Sequence, residues 1–264
     1  MTVYTDLVQY RELFGNLFRR DFQAKYKGSV LGIFWSLLNP LILLGVYLVV
    51  FEVLIKRGTT PHYPLYLLAG LACWIFFSVS LQSAARSMID SAELITKVRF
   101  PRQLVAFSMV ATQAVTYAVM LVILIALSLV FIPAARGTVW LAIPLAVAFV
   151  GFVAGLALLV AALNVLYRDI EHILNAALLP WFFLTPILWD PTQLSSAKDH
   201  HKLLEVLHWA NPVVPPIYAV RDAIWSGHAP RWTDVTYLLV ATALALALAS
   251  FVFNRVDDQI AVEL

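Results

Sequence analysis

The chain has 264 residues, of which 61% are hydrophobic and only 13% are charged. Soluble domains carry about 25% charged residues, so this composition excludes an ordinary soluble protein and indicates one embedded in lipid. The net charge of +2 is too small to indicate nucleic-acid binding, and the single cysteine, Cys73, excludes an internal disulfide and a multi-cysteine metal site.

The first 27 residues are polar enough to lie outside the hydrocarbon, and residues 4–25 predict an amphipathic helix. Its apolar side chains recur at helical spacing: Leu7, Tyr10, Phe14, Leu17, Phe18 and Phe22. Cations on the opposite side favour a helix that lies in the membrane interface. The alternative is a helix that packs on the protein's own cytoplasmic face. We therefore treat 1–27 as an N-terminal cytoplasmic interfacial helix and 28–264 as a single transmembrane domain.

Six uncharged stretches in this domain are long enough to cross a bilayer, which takes about 20 mostly apolar residues. They predict an all-α polytopic fold with spans at about 30–55, 62–85, 104–132, 138–166, 171–189 and 234–254. The fifth stretch is the weakest, because only 18 uncharged residues separate Glu171 from Asp190 and they include Pro180 and Pro186.

Two local features predict how the spans pack. Asn39-Pro40 lies within the first span and predicts a kink, which serves either helix packing or a pore. Small residues from Gly151 to Gly155 in the fourth span predict the close approach of another helix.

The distribution of Lys and Arg indicates the orientation of the chain. With the N-terminus inside, the inner segments carry 11 cations and the outer segments carry 7, so both termini are assigned to the cytoplasm. The cationic stretch around Phe100-Pro101 then lies on the cytoplasmic side. On the outer side, residues 190–233 are partly apolar and broken by prolines, which predicts short re-entrant gate helices near 203–225.

Motifs that would indicate an enzyme are missing: the sequence has no P-loop, GxSxG, HExxH or paired CxxC, and no metal site is predicted. The densest polar cluster is NVLYRDIEH, from Asn164 to His172. Asp169 is expected to cap the following helix, where the helix dipole favours an acid. The alternative is an intramembrane enzyme acting on prenyl-linked sugars, with Asp169, Glu171 and His172 as its acids.

Three stretches resemble one family, the membrane subunit of type-2 ABC exporters for lipid-linked polysaccharides such as O-antigen and teichoic acid. They are RRDFQAKYKGSVLGIFWSLLNP (19–40), ELITKVRFPRQ (93–103) and NVLYRDIEHILNAALLPWFFLTPILW (164–189), the last followed by NPVVPPIYAVRDAIW (211–225). The resemblance implies a permease of the bacterial cytoplasmic membrane that works as a homodimer with two copies of a cytoplasmic ABC ATPase. That partner would use ATP and Mg²⁺, and this chain would hold no cofactor.

The resemblance also implies three groups of functional residues. A coupling helix at 92–102 would dock on the ATPase through Glu93, Ile95, Lys97, Val98, Arg99, Phe100, Pro101 and Arg102. The phosphate of the lipid would contact Arg19, Arg20, Lys25, Lys27 and Arg168. A channel along the first and fifth spans would be lined by Trp35, Asn39, Tyr47, Phe51, Trp181, Phe182 and Phe183.

Three alternatives stay open beside this interpretation. The coupling segment could be an ordinary positively charged loop on the inner side. The same scaffold could export drugs or free lipids. A structural membrane scaffold would show neither ATP dependence nor accumulation of a glycan when the protein is deleted.

Overall fold

A computed structural model describes residues 5–29, 32, 34–50, 60–97, 100–191 and 201–263. Within these ranges the chain is helical and contains no strand, which confirms the predicted all-α class. The helices are α1 (Thr5–Gln9), α2 (Arg11–Tyr26), α3 (Phe34–Leu48), α4 (Tyr63–Asp90), α5 (Ala92–Lys97), α6 (Gln103–Phe131), α7 (Ala142–Leu166), α8 (Asp169–Leu184), α9 (His201–Ala210), α10 (Val214–Trp225) and α11 (Trp232–Glu263). Two short 3₁₀ turns, Pro133–Gly137 and Val139–Leu141, join α6 to α7.

Among the described residues, four helical segments are long and apolar enough to cross a membrane, so the chain is a multi-pass membrane protein. They are Tyr63–Asp90, Gln103–Phe131, Val139–Leu166 and Trp232–Asp257, which correspond to the second, third, fourth and sixth predicted spans. The helices at the first and fifth predicted spans are shorter, so the count of six crossings stays a prediction.

The short length of α8 has a local cause. Its 16 residues reach only about 24 Å, against a hydrocarbon core of about 30 Å. The helix ends at Thr185, whose ψ of 125° is extended. Pro186 follows, and the residue before a proline is driven out of the helical region by steric contact with the proline ring.

The N-terminal helix differs from the predicted continuous element over residues 4–25. Tyr10, with φ −104° and ψ 32°, interrupts it and separates α1 from α2. One side of α2 packs against α6, where Leu17 and the carboxylate of Asp21 are buried. This is the packing that we raised as the alternative to an interfacial helix. The other side of α2 is exposed, and its placement in a membrane interface stays a prediction.

Both ends of the chain meet at one face of the bundle, which we call the terminal face. The amide of Gln103 donates a hydrogen bond to Asp6 Oδ2 at 2.7 Å. The guanidinium of Arg102 pairs with Asp257 Oδ1 at 2.8 Å and also donates to the Asp257 carbonyl. The beginning of α6 therefore lies beside α1 and the last turns of α11. This contact brings Asp6 and Asp257, which lie near the two ends of the chain, to one face of the bundle, and the assignment of both termini to the cytoplasm stays a prediction.

The opposite end of the bundle, which we call the distal face, contains α9 and α10. Helix α10 is buried against α4, α7 and α11. Its Arg221 is fully buried between the rings of Tyr66 and Tyr218, at 4.0 and 4.1 Å from their centroids, and donates to the Pro186 carbonyl at 2.9 Å. Burial raises the pKa of the neighbouring Asp222, an effect that Arg221 opposes. The segment after α8 is thus tied to α4 and α10.

Small residues let α7 pack closely along α11, as the sequence predicted for the stretch from Gly151 to Gly155. A Cβ added to Gly155 would lie 2.7 Å from the carbonyl carbon of Ala245 and 2.9 Å from the amide nitrogen of Leu246. One turn away, the hydroxyl of Thr242 donates to the carbonyl of Ala148 at 3.1 Å. The contact is between backbones, so a side chain at Gly155 could be accommodated only by shifting a whole helix.

We expect Gly155→Ala to destabilise the protein by about 1–3 kcal/mol, the usual effect of overpacking. The matched control is Gly15→Ala on α2, where an added Cβ meets nothing within 4 Å. There alanine should stabilise the helix by about 0.5–1 kcal/mol, because it restricts the unfolded chain. Thermal unfolding in detergent, followed by size-exclusion chromatography, measures both changes. Equal melting temperatures for the two variants would contradict the close packing of α7 and α11.

Candidate functional site

A cavity of about 900 Å³ opens where the end of α2 meets α3, α4 and α6. Its lining combines the end of the N-terminal helix with three helices at predicted spans. The lining residues are Lys25, Tyr26, Lys27, Gly28, Ser29, Gly32, Trp35, Asn39, Pro40, Ala72, Ile75, Phe76, Val79, Gln113, Thr116, Tyr117 and Met120. We call this space the α2 cavity. It brings together two predicted phosphate contacts, Lys25 and Lys27, and two predicted channel residues, Trp35 and Asn39.

Lys25 provides the charge at one wall of the α2 cavity. Its ammonium group donates to Gln113 Oε1 at 2.7 Å and to Thr116 Oγ1 at 3.1 Å, and both acceptors lie on α6. The Tyr26 hydroxyl lies 3.3 Å from the same threonine oxygen. None of the lining residues given above is acidic. The cavity therefore presents cationic charge without an internal counter-ion, which suits an anionic group.

A tight turn between α2 and α3 shapes the entrance. Gly28 and Gly32 have φ values of +77° and +50°, a conformation that other residues rarely adopt. Between them, the hydroxyl of Ser29 accepts a hydrogen bond from the amide of Gly32 at 2.9 Å. Gly28, Ser29 and Gly32 line the cavity together with Trp35 at the start of α3.

The other predicted phosphate contacts do not line the α2 cavity. Arg20 pairs with Asp21 at 2.8 Å and reaches Ser91 Oγ at 3.4 Å, while Asp21 also accepts from Ser108 Oγ at 2.6 Å. Arg20 thereby helps to attach α2 to the bundle. Arg19, together with Lys27, lies along a shallow depression on the exposed side of α2, and Arg168 is exposed at the start of α8.

The start of α8 corrects the expected role of Asp169. This residue is the first of the helix, and the side chain that caps the helix is Asn164, whose Oδ1 accepts from the amide of Glu171 at 2.9 Å. The amide nitrogen of Asn164 also donates to the Ala85 carbonyl at 2.8 Å. The prediction that Asp169 caps α8 was therefore wrong. Asn164 lies in the preceding helix, and the turn between the two helices brings its side chain to the amide of Glu171.

The acids of the alternative enzyme do not converge on a common point. Glu171 pairs with Arg86 at 3.4 Å, and His172 is exposed on α8. No group of three or more His, Cys, Asp or Glu residues is placed to hold a metal ion in the part of the chain that the structure describes. The geometry gives the intramembrane-enzyme interpretation no support.

The aromatic residues predicted for the channel separate into a buried and an exposed set. Phe182 is only 7% exposed and packs between Tyr47 and Trp74, with ring centroids 6.3 and 5.5 Å away. Trp181 is half-buried and donates to Asn211 Oδ1 at 2.8 Å. Phe183, by contrast, is 57% exposed. Phe51 lies outside the described residues. Phe182 thus packs within the chain itself, whereas the exposed Phe183 is available to line a transport path or to contact a second copy of the chain.

Sequence reasoning missed a pair of amides at the exposed surface of the bundle. Gln82 on α4 donates to Asn175 on α8 at 2.9 Å, and both side chains are exposed, as is Asn39 on α3. Amides are unfavourable in hydrocarbon, so such a surface faces protein or water. The sequence feature that could have revealed this pair is an amide side chain within an otherwise apolar span. We applied that criterion only to Asn39.

The predicted coupling segment is shorter as a helix than the expected 92–102. Helix α5 ends at Lys97, and α6 begins at Gln103. Val98 and Arg99 lie outside the described residues, and Pro101 lies between the helices without belonging to either. The break has a physical reason, since a proline lacks the amide proton of a continuing helix and disfavours a helical residue before it.

The side chains of this segment are divided between the bundle and its surface. Ile95 is 7% exposed and belongs to the core, so it is not available for the docking contact with the ATPase that the resemblance implied. Phe100 is half-buried against the same core, and Arg102 is bound to Asp257. Glu93 and Lys97 form an exposed pair one helical turn apart. Among the described residues of this segment, the pair lies at the exposed surface, where a partner could reach it.

Apolar helices that enclose a cationic cavity beside a polar exposed surface are typical of a membrane transport subunit. Comparison with known proteins makes this specific, since residues 12–225 match the family model described as ABC-2 type transporter. The chain therefore belongs to the ABC-2 type transporter family. It is 30% identical over 259 residues to the O-antigen export system permease protein RfbA of Myxococcus xanthus, covering 97% of this chain and 96% of that protein.

Two proteins of Klebsiella pneumoniae, each named O-antigen export system permease protein RfbA, are also similar. One is 28% identical over 248 residues and the other is 27% identical over 247 residues. Each match covers 92% of this chain and 91% of the relative. In each of these pairs the similarity therefore extends over nearly the whole length of both proteins.

Water should reach the α2 cavity, which can be tested with single cysteines in a Cys73→Ala background. We expect Thr116→Cys to react with a charged thiol reagent in permeabilised membranes. Ala118→Cys, two residues along α6, is the matched control. It lies on the exposed apolar side of α6 that carries Val122 and Val130, which we expect to face lipid, and should react at least tenfold more slowly because the thiolate forms poorly in hydrocarbon. Equal rates would contradict a hydrated cavity.

Proposed function

We propose that this chain is the permease subunit of an ATP-driven exporter that moves a lipid-linked polysaccharide of the O-antigen type across the bacterial cytoplasmic membrane. Membership of the ABC-2 family and the names of three relatives, matched over nearly their full length, support the cargo class. The α2 cavity, with Lys25 at its wall, is the structural observation that links the proposal to particular residues of this chain. A teichoic acid is the alternative glycan.

The α2 cavity suits the phosphate-bearing head of a lipid-linked sugar. Lys25 and Lys27 are the two charged residues among its lining, and a charge-assisted hydrogen bond to phosphate is about twice as strong as a neutral one. On the other side, Ile75, Val79 and Met120 provide an apolar wall for the first part of a prenyl chain. The cavity thus combines the two chemistries of such a lipid in one place.

Replacing Lys25 should therefore impair export. Loss of a hydrogen bond to a charged group is worth about 1.5–3 kcal/mol, or about ten- to a hundredfold in affinity. We expect Lys25→Ala to lower surface O-antigen at least tenfold in a deletion strain complemented with the variant, with lipid-linked glycan accumulating inside the cell. Lys25→Arg should retain most of the export, because it keeps the charge.

Arg11→Ala, which removes an exposed cation from the other end of α2, is the control and should export normally. Normal export by Lys25→Ala at wild-type protein levels would contradict the assignment of the head group to this cavity. Drug resistance or lipid efflux without any effect on surface glycan would favour the alternative exporter of drugs or free lipids.

We further propose that two copies of the chain assemble with two copies of a cytoplasmic ABC ATPase, which binds ATP and Mg²⁺. The exposed amides on α3, α4 and α8 support a surface that faces a second copy or a hydrated path between the copies. The terminal face supports the cytoplasmic side, since the inner segments of the chain hold the larger share of its cations. Both termini would then be cytoplasmic.

Helix α5 is the proposed contact with the ATPase, through the exposed pair Glu93 and Lys97. A charge swap separates a local role from a partner contact. The double variant Glu93→Lys with Lys97→Glu keeps opposite charges one turn apart but inverts the pattern presented to a partner. We expect it to reduce co-purification of the ATPase and export together by at least threefold, since mismatched charges at an interface are repulsive.

Lys97→Arg is the control for this experiment and should bind the ATPase as the wild type does. If the charge swap leaves ATPase binding and export unchanged, α5 is an ordinary positively charged turn and the coupling assignment fails. The swapped variant retains an ion pair one turn apart, but its reversed order opposes the helix dipole, so the amount of protein in the membrane is measured beside ATPase binding.

A further inference from the structure

A second cavity, of about 470 Å³, lies at the distal face, which we call the distal pocket. It is formed by the segment after α8, by α9, by α10 and by the residue just before α11. The segment after α8 contributes Trp189 and Asp190, and α9 contributes Glu205 and Trp209. The residue just before α11 is Arg231. Since α8 and α11 both have their other ends near the terminal face, the distal pocket lies at the opposite end of the bundle from the terminal face.

The lining of the distal pocket combines aromatic rings with charges of both signs. Trp189, Trp209 and Tyr218 contribute rings, while Asp190 and Glu205 contribute carboxylates and Arg231 a guanidinium. A phosphate would be repelled by the carboxylates, and an alkyl chain would desolvate all the charges. A sugar suits both features, because its C–H face packs on an aromatic ring and its hydroxyls donate to carboxylates and accept from a guanidinium.

The rings of the distal pocket are held in place by a connected set of contacts. His208 lies edge-on between Trp209 and Tyr218, with centroids 4.7 and 5.1 Å away, and its Nε2 is 2.8 Å from Asp234 Oδ1. Tyr218 in turn stacks on the buried Arg221 at 4.1 Å. Side chains that are already fixed before binding lose little entropy when a ligand binds, and this preorganisation increases affinity.

An ordinary belt of interfacial aromatics would not explain this arrangement. Trp232, one residue beyond Arg231, is 75% exposed and lines no part of the pocket, as expected of a residue that only anchors the protein in the interface. Trp209 is 41% exposed and lines the pocket together with the carboxylates of Asp190 and Glu205. A volume of about 300–1,000 Å³ is typical of sites for small ligands.

We propose that the distal pocket binds one or two sugar units of the cargo glycan on the outer face of the membrane. This inference rests on the proposed function, since the cargo must be a glycan. It assigns to the chain a second sugar-handling site, distinct from the cavity for the lipid head. A bound sugar there would hold the glycan at the outer side, next to the α10 segment that Arg221 ties to α4.

The test is binding of a lipid-free glycan to the purified full-length chain in nanodiscs. The probe is the polysaccharide released by mild acid from the lipopolysaccharide of the bacterium that carries the gene, and the readout is the Kd from isothermal titration calorimetry. We expect Trp209→Ala to weaken binding about tenfold or more, as removal of an aromatic anchor does. Glu205→Gln, which keeps the shape of the side chain, should weaken it at least threefold.

Trp232→Ala is the matched control, and its Kd should equal that of the wild type. If Trp209→Ala fails to fold, Glu205→Gln still decides the question. Absent binding by the wild type at millimolar probe, or a Kd unchanged in the Glu205 variant, would overturn the distal sugar site. Surface export of glycan by the wild type is measured in the same strain. Normal export would show that only the distal sugar site has failed, whereas absent export would show that the proposed function has failed.

Discussion

The packing of a charged N-terminal helix against an apolar bundle is the constraint on which the rest of the structure depends. Helix α2 is held to α6 at the buried Asp21, which accepts from Ser108, and at Lys25, which donates to Gln113 and Thr116. An unpaired charge at the buried position of Asp21 would be unfavourable by several kcal/mol, so that carboxylate is completed by a partner on the bundle, while Lys25 is exposed and attaches the end of α2 by hydrogen bonds. The α2 cavity exists because these two attachments hold the end of α2 and the following turn beside α4 and α6.

The terminal face joins three distant parts of the chain in one place. Arg102 contacts Asp257, 155 residues further along the chain, and the neighbouring Gln103 contacts Asp6. A displacement of the segment after α5 would therefore act on α6, on the N-terminal helix and on α11 together. In the proposed exporter, this is the route by which a motion of the ATPase would reach the α2 cavity, through packed helices rather than through a loop.

The two cavities differ in chemistry in the way that two stages of transport would require. The α2 cavity has two lysines and no acid among its lining residues, which suits a phosphate at the entry side. The distal pocket has aromatic rings and charges of both signs, which suits neutral sugar units at the exit side. A single lipid-linked glycan contains both groups, so one cargo could use both sites in succession as it crosses the bundle.

The sequence by itself determined the helical class and the close packing at Gly155, and it predicted six spans, of which four are long apolar helices among the described residues, because these features follow from hydropathy, charge spacing and residue size. The tertiary structure alone decided the partners of individual side chains. It buried Ile95 and Asp21, made Asn164 rather than Asp169 the cap of α8, and separated Lys25 from Arg20. Periodicity places a side chain on one face of a helix, but partners such as Ser108 for Asp21, Gln113 for Lys25 and Asp257 for Arg102 lie 87 to 155 positions away, and only the folded chain brings them into contact.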